Sequence, residues 1–213
     1  LCMSQSVGAV NLSAGLQDAY LASSPVVAIT GRCKELEQHR HAYQEVDHLA
    51  PFEAVSKYNV LVTELEQLPF RLRQAFREAV VGCPGPTHLD IEGFIGEGIA
   101  EAEGDLEIVH EKTFAKLPPF RPEPGEESVR QILATLASAE RPVIVAGGGI
   151  TASGARDQLV AFAERHFVPV ATALNAKTAL PYDHPLLVGV PGEYSRACAN
   201  RVVFEADLVI FIG

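Results

Sequence analysis

Short apolar runs alternate along this chain with stretches of helical periodicity, and this alternation constrains the fold more than any other feature. Residues 26–29 read Val-Val-Ala-Ile and are closed by Gly31, which is typical of a strand buried on both faces. Comparable runs lie at residues 87–91, 142–146, 168–173 and 208–212. Strands separated by helices pair in parallel, so the sequence predicts an α/β fold with parallel sheets.

Four stretches between these runs carry apolar side chains at helical spacing. The first starts at Asn11, a residue type that favours the N-cap, and is ended by Pro25. The second opens with Pro69, and proline is well tolerated at the first helical position. The third and fourth cover residues 129–137 and 155–163. Together with the strands, they predict two successive α/β domains.

A region rich in proline, glycine and glutamate separates the two predicted domains. Pro118, Pro119, Pro122 and Pro124 lie close together and are followed by Gly125. Such a composition sustains neither a helix nor a central strand. We therefore predict a first domain over residues 1–95, a linker over 96–125 and a second domain over 126–213.

Charge, hydropathy and cysteine content exclude several functional classes. Seventeen Lys and Arg against 27 Asp and Glu give a net charge of −10, which repels nucleic acids and anionic membranes. The apolar runs are far shorter than the ~18 residues that a membrane-spanning helix needs. The four cysteines show no CxxC spacing and therefore indicate a reducing compartment. We expect a cytoplasmic protein with neither a nucleic acid nor a membrane as partner, and the abrupt end at Gly213 suggests a fragment.

Gly147, Gly148 and Gly149 follow a predicted strand and precede a predicted helix. This order can present backbone N–H groups to a phosphate, as in nucleotide-binding folds. The sequence is not GxGxxG, because Ala152 takes the position of the third glycine, and no acidic residue ends a strand about 20 residues later. A tight turn is therefore the simpler interpretation, and binding of NAD or FAD is the alternative.

A polar segment after the first strand groups three histidines with two carboxylates: His39, His41, Glu45, Asp47 and His48. A metal site needs a further ligand and a defined geometry, so we predict no metal ligand here. A solvated loop is the simplest interpretation. Because loops at the ends of parallel strands often carry the sites of such folds, the segment remains a candidate site.

An ordered set of short sequences along the chain resembles one enzyme family. In the first half these sequences occupy residues 6–11, 25–31, 43–45, 56–57, 68–69, 75–76 and 82–86. In the second half they occupy residues 141–149, 169–170, 184–186 and 206–209. In order and spacing they resemble the acetolactate synthase-like family of thiamine diphosphate-dependent enzymes. The resemblance covers essentially the whole chain.

The resemblance implies a pyrimidine-binding domain followed by part of a Rossmann-like central domain. In such enzymes two subunits clasp the cofactor, so the parent protein would be a homodimer or homotetramer. The family's catalytic glutamate would lie before Leu1 and its magnesium and diphosphate motif beyond Gly213, so these residues alone would be inactive. The parent would be a carboligase, lyase or decarboxylase acting on a 2-oxo acid or 2-hydroxyacyl substrate. A nucleotide-binding protein and a non-catalytic dimerisation module are the alternatives.

The family pattern also assigns individual residues. It places Ser6, Gly8 and Asn11 at the turn beside the pyrimidine ring of thiamine diphosphate. It places Gln44 at the mouth of the site, where its amide can bond to substrate or intermediate, and Tyr43 at the substrate entrance. A tight turn at Gly8, a helix cap at Asn11 and a packed tyrosine at Tyr43 are the structural alternatives.

Several positions depart from the family pattern. The Gly-Pro-Gly turn reads Ser-Val-Gly at residues 6–8, and the lysine after the Asp-Ile/Leu-Pro sequence is Gly93. The arginine of Gly-Arg-Pro-Gly-Pro, which contacts flavin in flavin-containing members, is Cys83, and the Gly-Met-His-Gly stretch reads Gly-Val-Pro-Gly at 189–192. Cysteine and proline replace neither the arginine nor the histidine donor, so we predict that FAD is absent.

Overall fold

The computed structural model describes residues 2–43, 45–93 and 106–213. The chain divides into two compact units, Leu1–Pro119 and Phe120–Gly213. No helix within the described ranges is both long and apolar enough to cross a membrane.

The first unit is built on a four-stranded sheet in which every pairing is parallel, with strand order β1-β2-β4-β3. Its strands are β1 (Cys2–Gln5), β2 (Val26–Arg32), β3 (Tyr58–Val62) and β4 (Pro86–Glu92). Its helices are α1 (Ser6–Leu21), α2 (Leu49–Glu53) and α3 (Leu68–Val80), with 3₁₀ turns at Glu35–Glu37, Leu65–Gln67 and Lys112–Ala115.

Helices cover both faces of this sheet, which explains its apolar strands. On one face, Ala75 and Ala79 of α3 pack with Leu89 of β4 in one buried cluster. On the other face, Leu16 of α1 and Phe52 of α2 belong to a second cluster. Sheets of this kind bind ligands at the carboxyl ends of their strands, so the fold itself directs attention to that edge.

The second unit is built on a second parallel sheet, with strand order β7-β6-β5-β8. Its strands are β5 (Pro142–Ala146), β6 (Val170–Thr172), β7 (Leu187–Gly189) and β8 (Leu208–Ile212). Its helices are α4 (Glu126–Ser138), α5 (Gly148–Ala152), α6 (Arg156–His166) and α7 (Ala197–Glu205), with a 3₁₀ turn at Leu174–Ala176. The chain moves outward from β5 to β7 and then returns to the other side of β5, as in a Rossmann-like fold.

The parallel α/β prediction is confirmed, but some details of the sequence analysis are wrong. Helix α1 begins at Ser6, so Asn11 lies inside the helix and is not its N-cap. The reason is local, because Ser6 takes a left-handed conformation (φ 50°) that turns the chain from β1 directly into the helix. The sequence analysis also missed β3 and β7 and the helices α2, α5 and α7. Residues 96–105 of the predicted linker lie outside the described residues, and the remainder includes the 3₁₀ turn Lys112–Ala115.

Candidate functional site

The candidate site lies at the carboxyl edge of the first sheet. Strand β2 ends there at Arg32, and β4 ends at Glu92. The segment between β2 and α2 returns to this edge, because Asp47 lies 3.7 Å from Arg32 and the Glu35 backbone N–H donates to Glu92 Oε1 at 2.6 Å. The polar segment singled out from the sequence is therefore placed beside the strand ends.

One face of the sheet carries buried polar side chains that run from the middle of the sheet toward this edge. Thr30 on β2 is paired in register with Asp90 on β4, and Asn59 on β3 is paired with His88 on β4. Residues two apart on a strand point to the same face, so these side chains form one layer. Thr30, His88 and Asp90 are fully buried. The ring of Phe52 stacks on His88 with 3.7 Å between ring centroids and seals the layer.

Hydrogen bonds join this layer into a continuous network. Thr30 Oγ1 lies 2.7 Å from both His88 Nε2 and Asp90 Oδ1. His88 Nδ1 lies 2.7 Å from Asn59 Oδ1, and Asn59 Nδ2 donates to the Leu49 carbonyl at 2.7 Å. These contacts connect three strands with the start of α2.

Two further residues connect the network to the preceding segment. His48 Nδ1 lies 3.1 Å from Asp90 Oδ1, and Arg32 Nη1 lies 3.5 Å from Asp90 Oδ2 and 3.7 Å from Asp47. Within the described ranges, Arg32 Nε, His48 Nε2 and Asp90 Oδ2 are buried without a hydrogen-bond partner. A buried donor or acceptor that lacks a partner is costly, so the network has unused bonding capacity.

Burial dominates the electrostatics of His88. The pKa of His88 is lowered to about 4, chiefly by desolvation; the Asp90 carboxylate opposes this shift and His48 adds to it. The His88 imidazole is therefore neutral at neutral pH.

The turn before Gln44 is built around the carboxylate of Glu45. The backbone N–H groups of His39 and Ala42 both donate to it, the latter at 2.9 Å. These bonds lower the pKa of Glu45 and hold a turn in which His39 and His41 have left-handed φ values of 62° and 54°. Tyr43 at the end of this turn is 86% exposed.

Gln44 itself lies outside the described residues. The catalytic assignments of Tyr43 and Gln44 therefore remain predictions. The structure places both neighbours of Gln44 on the segment that returns to the carboxyl edge.

The β1–α1 junction holds the residues predicted to lie beside the cofactor. Ser6 is buried, and a Cβ atom at Gly8 would lie 2.3 Å from Ser4 Oγ, so a larger residue at position 8 would force the Ser4 hydroxyl to move. Asn11 is exposed on α1, together with Val7 four positions earlier. The cofactor roles of Ser6, Gly8 and Asn11 also remain predictions.

The glycines after β5 are explained by close approach of the backbone. A Cβ atom at Gly147 would lie 2.1 Å from Gly213 O, and one at Gly149 would lie 2.8 Å from Gly213 Cα. At Gly148 a Cβ would lie 3.2 Å from Asn175 Nδ2. The Gly147 N–H donates to Ile212 O at 2.7 Å, so this donor is already engaged. These contacts account for the tight turn, and nucleotide binding by these glycines remains an untested prediction.

The histidine segment is not assembled as a metal centre in the described part of the chain. No group of three or more His, Cys, Asp or Glu side chains within those residues is arranged to hold an ion. His39 and His41 are exposed, whereas His48 is buried against Asp90.

Sequence reasoning missed the network residues Thr30, Arg32, Asn59, His88 and Asp90. A signal for them was present. Thr30 and Arg32 are two apart at the end of an apolar strand, as are His88 and Asp90. Polar residues with strand periodicity inside a buried strand indicate a polar layer at a strand end, and such a layer is expected to be hydrogen-bonded.

The chain contains two successive parallel α/β units, and the first has a polar layer that reaches the carboxyl edge of its sheet. This arrangement is typical of a class of ligand-binding proteins. Comparison with known families narrows this class. Residues 1–50 match the family described as thiamine pyrophosphate enzyme, N-terminal TPP binding domain, and residues 129–213 match thiamine pyrophosphate enzyme, central domain. The chain therefore belongs to the thiamine pyrophosphate enzyme family, as the resemblance predicted.

Individual relatives agree with this assignment. The probable acetolactate synthase large subunit of Methanocaldococcus jannaschii is 37% identical over 216 residues, covering 100% of this chain and 36% of the relative. Acetolactate synthase isozyme 1 large subunit of Escherichia coli is 35% identical over 214 residues, covering 100% of this chain and 36% of the relative. The acetolactate synthase large subunit of Lactococcus lactis is 32% identical over 210 residues, covering 97% of this chain and 35% of the relative. The chain thus spans about one third of these relatives' length.

Proposed function

We propose that this chain forms the pyrimidine-binding part and the start of the central domain of a thiamine diphosphate-dependent carboligase, lyase or decarboxylase. Its substrate would be a 2-oxo acid or a 2-hydroxyacyl compound. The observation that carries the proposal is the order of the two family domains along the chain, at residues 1–50 and 129–213. The names of the relatives, all acetolactate synthase large subunits, support a substrate of the pyruvate type.

The start of α1 supports the assignment of the pyrimidine ring to this place. Val7 and Asn11 lie on one helix face, four positions apart, and the Val7 side chain is 71% exposed. An apolar side chain beside an amide suits a flat ring that has apolar faces and hydrogen-bonding edges. The first backbone N–H groups of a helix have no partner inside the helix and add donors at the same place. We therefore assign contact with the ring to Ser6, Gly8 and Asn11.

Thiamine diphosphate, when bound, supplies a carbanion nucleophile and an electron sink, so the protein must orient the substrate and control its environment. We assign orientation of the substrate or intermediate to the Gln44 amide, and the substrate entrance to the exposed ring of Tyr43. Glu45 supports these roles of Gln44 and Tyr43, since its carboxylate binds the backbone of the turn that precedes the two residues. We assign the family's glutamate and its Mg²⁺ and diphosphate ligands to chain outside these 213 residues.

We further propose that the enzyme works without flavin. Cys83 stands where the family's flavin-contacting arginine is found, and its Sγ lies 3.0 Å from Ser23 Oγ. Pro191 stands where the family has histidine, and proline offers no side-chain donor. We propose a homodimer or homotetramer for the parent, because the family's cofactor site needs two subunits.

Calorimetry of the full-length protein tests the proposal. Titration with thiamine diphosphate plus Mg²⁺ is compared with titrations of NAD and FAD, and release of carbon dioxide from pyruvate is measured in parallel. We expect saturable binding of thiamine diphosphate only. Binding of NAD or FAD without thiamine diphosphate would instead favour a nucleotide site at Gly147–Gly149. Binding of none of the three would favour a non-catalytic dimerisation module.

A further inference from the structure

Two serines of α1 are almost equally buried but differ in the partners of their hydroxyls. Ser6 is 6% exposed and Ser13 is 7% exposed. Ser13 Oγ donates to the Val10 carbonyl at 2.7 Å, inside its own helix. The Ser6 hydroxyl makes no hydrogen bond to any residue that the structure describes. A buried hydroxyl without a partner is costly, so Ser6 carries a polar group that the fold itself does not use.

The backbone of Ser6 adds a second cost. Its φ of 50° lies in the left-handed region, where a Cβ atom crowds the following carbonyl oxygen and glycine alone is free of strain. Glycine in this place would remove both the strain and the unpartnered hydroxyl. Residues held in such conformations cluster at ligand sites, where the strain serves a function.

Ser6 also lies where a parallel sheet binds its ligands. It follows Gln5, which is paired in register with Gly31 close to the carboxyl end of β2. It opens α1, and the first backbone N–H groups of a helix have no partner within the helix. The neighbouring Val7 is 71% exposed and offers an apolar contact. A hydroxyl, backbone donors and an apolar side chain together suit a flat heteroaromatic ring.

We propose that Ser6 is held in its left-handed conformation so that its hydroxyl forms a hydrogen bond with the aminopyrimidine ring of bound thiamine diphosphate. The protein gains affinity for the cofactor from this bond and is less stable without the cofactor than it would be with glycine. A hydroxyl can donate or accept, and the ring has both acceptor nitrogens and an amino group. The inference rests on the proposed function, because it takes thiamine diphosphate as the ligand.

Two substitutions separate the hydroxyl from the strain. Ser6→Ala removes the hydroxyl but keeps a Cβ atom in the left-handed conformation, whereas Ser6→Gly removes both. On the full-length protein, titration calorimetry with thiamine diphosphate at saturating Mg²⁺ measures affinity. Both variants should bind the cofactor about 2- to 12-fold more weakly than the wild type, as expected for one lost neutral hydrogen bond.

Scanning calorimetry of the cofactor-free protein measures the strain. Ser6→Gly should raise the melting temperature by about 1–4 °C, and Ser6→Ala should stay close to the wild type. Ser13→Gly is the matched control, because it removes an equally buried hydroxyl whose bond lies within the helix. It should lower the melting temperature, since glycine weakens a helix interior, and leave the affinity for thiamine diphosphate unchanged.

Wild-type affinity in both Ser6 variants would overturn the proposal and leave the proposed function standing. Weaker binding by Ser6→Gly alone would also overturn it, because the effect would then come from the backbone and not from the hydroxyl. A melting temperature of Ser6→Gly at or below that of the wild type would show that Ser6 stores no strain. If the wild type itself does not bind thiamine diphosphate, the proposed function fails and the bond from Ser6 fails with it.

Discussion

The carboxylate of Asp207 accepts the backbone N–H of Arg141 at 2.8 Å, although the two residues are 66 positions apart. Its second oxygen accepts the N–H of Glu140 at 2.7 Å. These bonds lower the pKa of Asp207 and join the starts of β5 and β8, where Pro142 is paired with Leu208. One side chain therefore ties the start of β5 to the start of β8, the neighbouring strand in the second sheet.

We predict that Asp207→Ala lowers the melting temperature of the full-length protein by a few degrees, because two backbone donors lose their acceptor. Asp207→Asn keeps one acceptor oxygen and should lose about half as much. Thermal unfolding followed by calorimetry measures both. Equal melting temperatures for wild type and Asp207→Ala would show that water replaces the carboxylate without cost.

A second prediction concerns Glu111, which binds two arginines of α3. Its carboxylate accepts from Arg73 at 2.8 Å and from Arg77 Nε at 2.6 Å, and these bonds lower its pKa from 4.5 to about 2. Because the folded-state pKa is depressed, the stabilisation is present above pH 4.5 and is lost as pH falls toward 2. Wild-type stability should therefore fall more steeply over this range than that of Glu111→Gln.

Urea unfolding at a series of pH values measures this difference. Glu107→Gln is the matched control, since Glu107 is an exposed glutamate of the same segment. Its pH profile should parallel that of the wild type. If Glu111→Gln also parallels the wild type, the two arginines do not stabilise the fold.

Helices and strands that depend on local sequence patterns were predicted from the sequence. Side-chain contacts that depend on strand pairing were not. Pro69 at the start of α3 and the apolar run of β8 were sufficient for those elements. The network was not predictable in the same way, because Thr30 meets His88 and Asp90 across 58 and 60 positions of sequence. Only the parallel register of β2 and β4 brings them together.

A third prediction separates two roles of glycine. Gly147→Ala should destabilise the protein by about 1–3 kcal/mol, as overpacking does, because its Cβ would lie 2.1 Å from Gly213 O. Gly15→Ala is the control, since Gly15 lies in α1 with nothing within 4 Å of its added Cβ. It should stabilise the protein by about 0.5–1 kcal/mol through helix propensity. Chemical denaturation measures both, and the same sign for the two variants would contradict the close approach at Gly147.

A fourth prediction is that the full-length protein purifies without flavin. Cys83 and Pro191 stand where the family has its arginine and histidine donors, and neither can make an equivalent charge-assisted bond. Absorbance of the native protein, and flavin fluorescence after heat denaturation, measure the content. A stoichiometric yellow chromophore would show that other contacts hold the flavin.

The last prediction concerns Gln44, which the family pattern assigns to substrate or intermediate and which follows the turn held by Glu45. In the full-length enzyme, Gln44→Ala should lower kcat for pyruvate by about 2- to 12-fold, the equivalent of a neutral hydrogen bond worth roughly 0.5–1.5 kcal/mol in the transition state. The melting temperature should not change, because a loop amide has few packing contacts to lose. Gln44→Glu, which keeps the length of the side chain, serves as the comparison in the same kinetic and thermal assays. Wild-type turnover in Gln44→Ala would assign Gln44 to an ordinary loop, and a large fall in its melting temperature would make the residue structural.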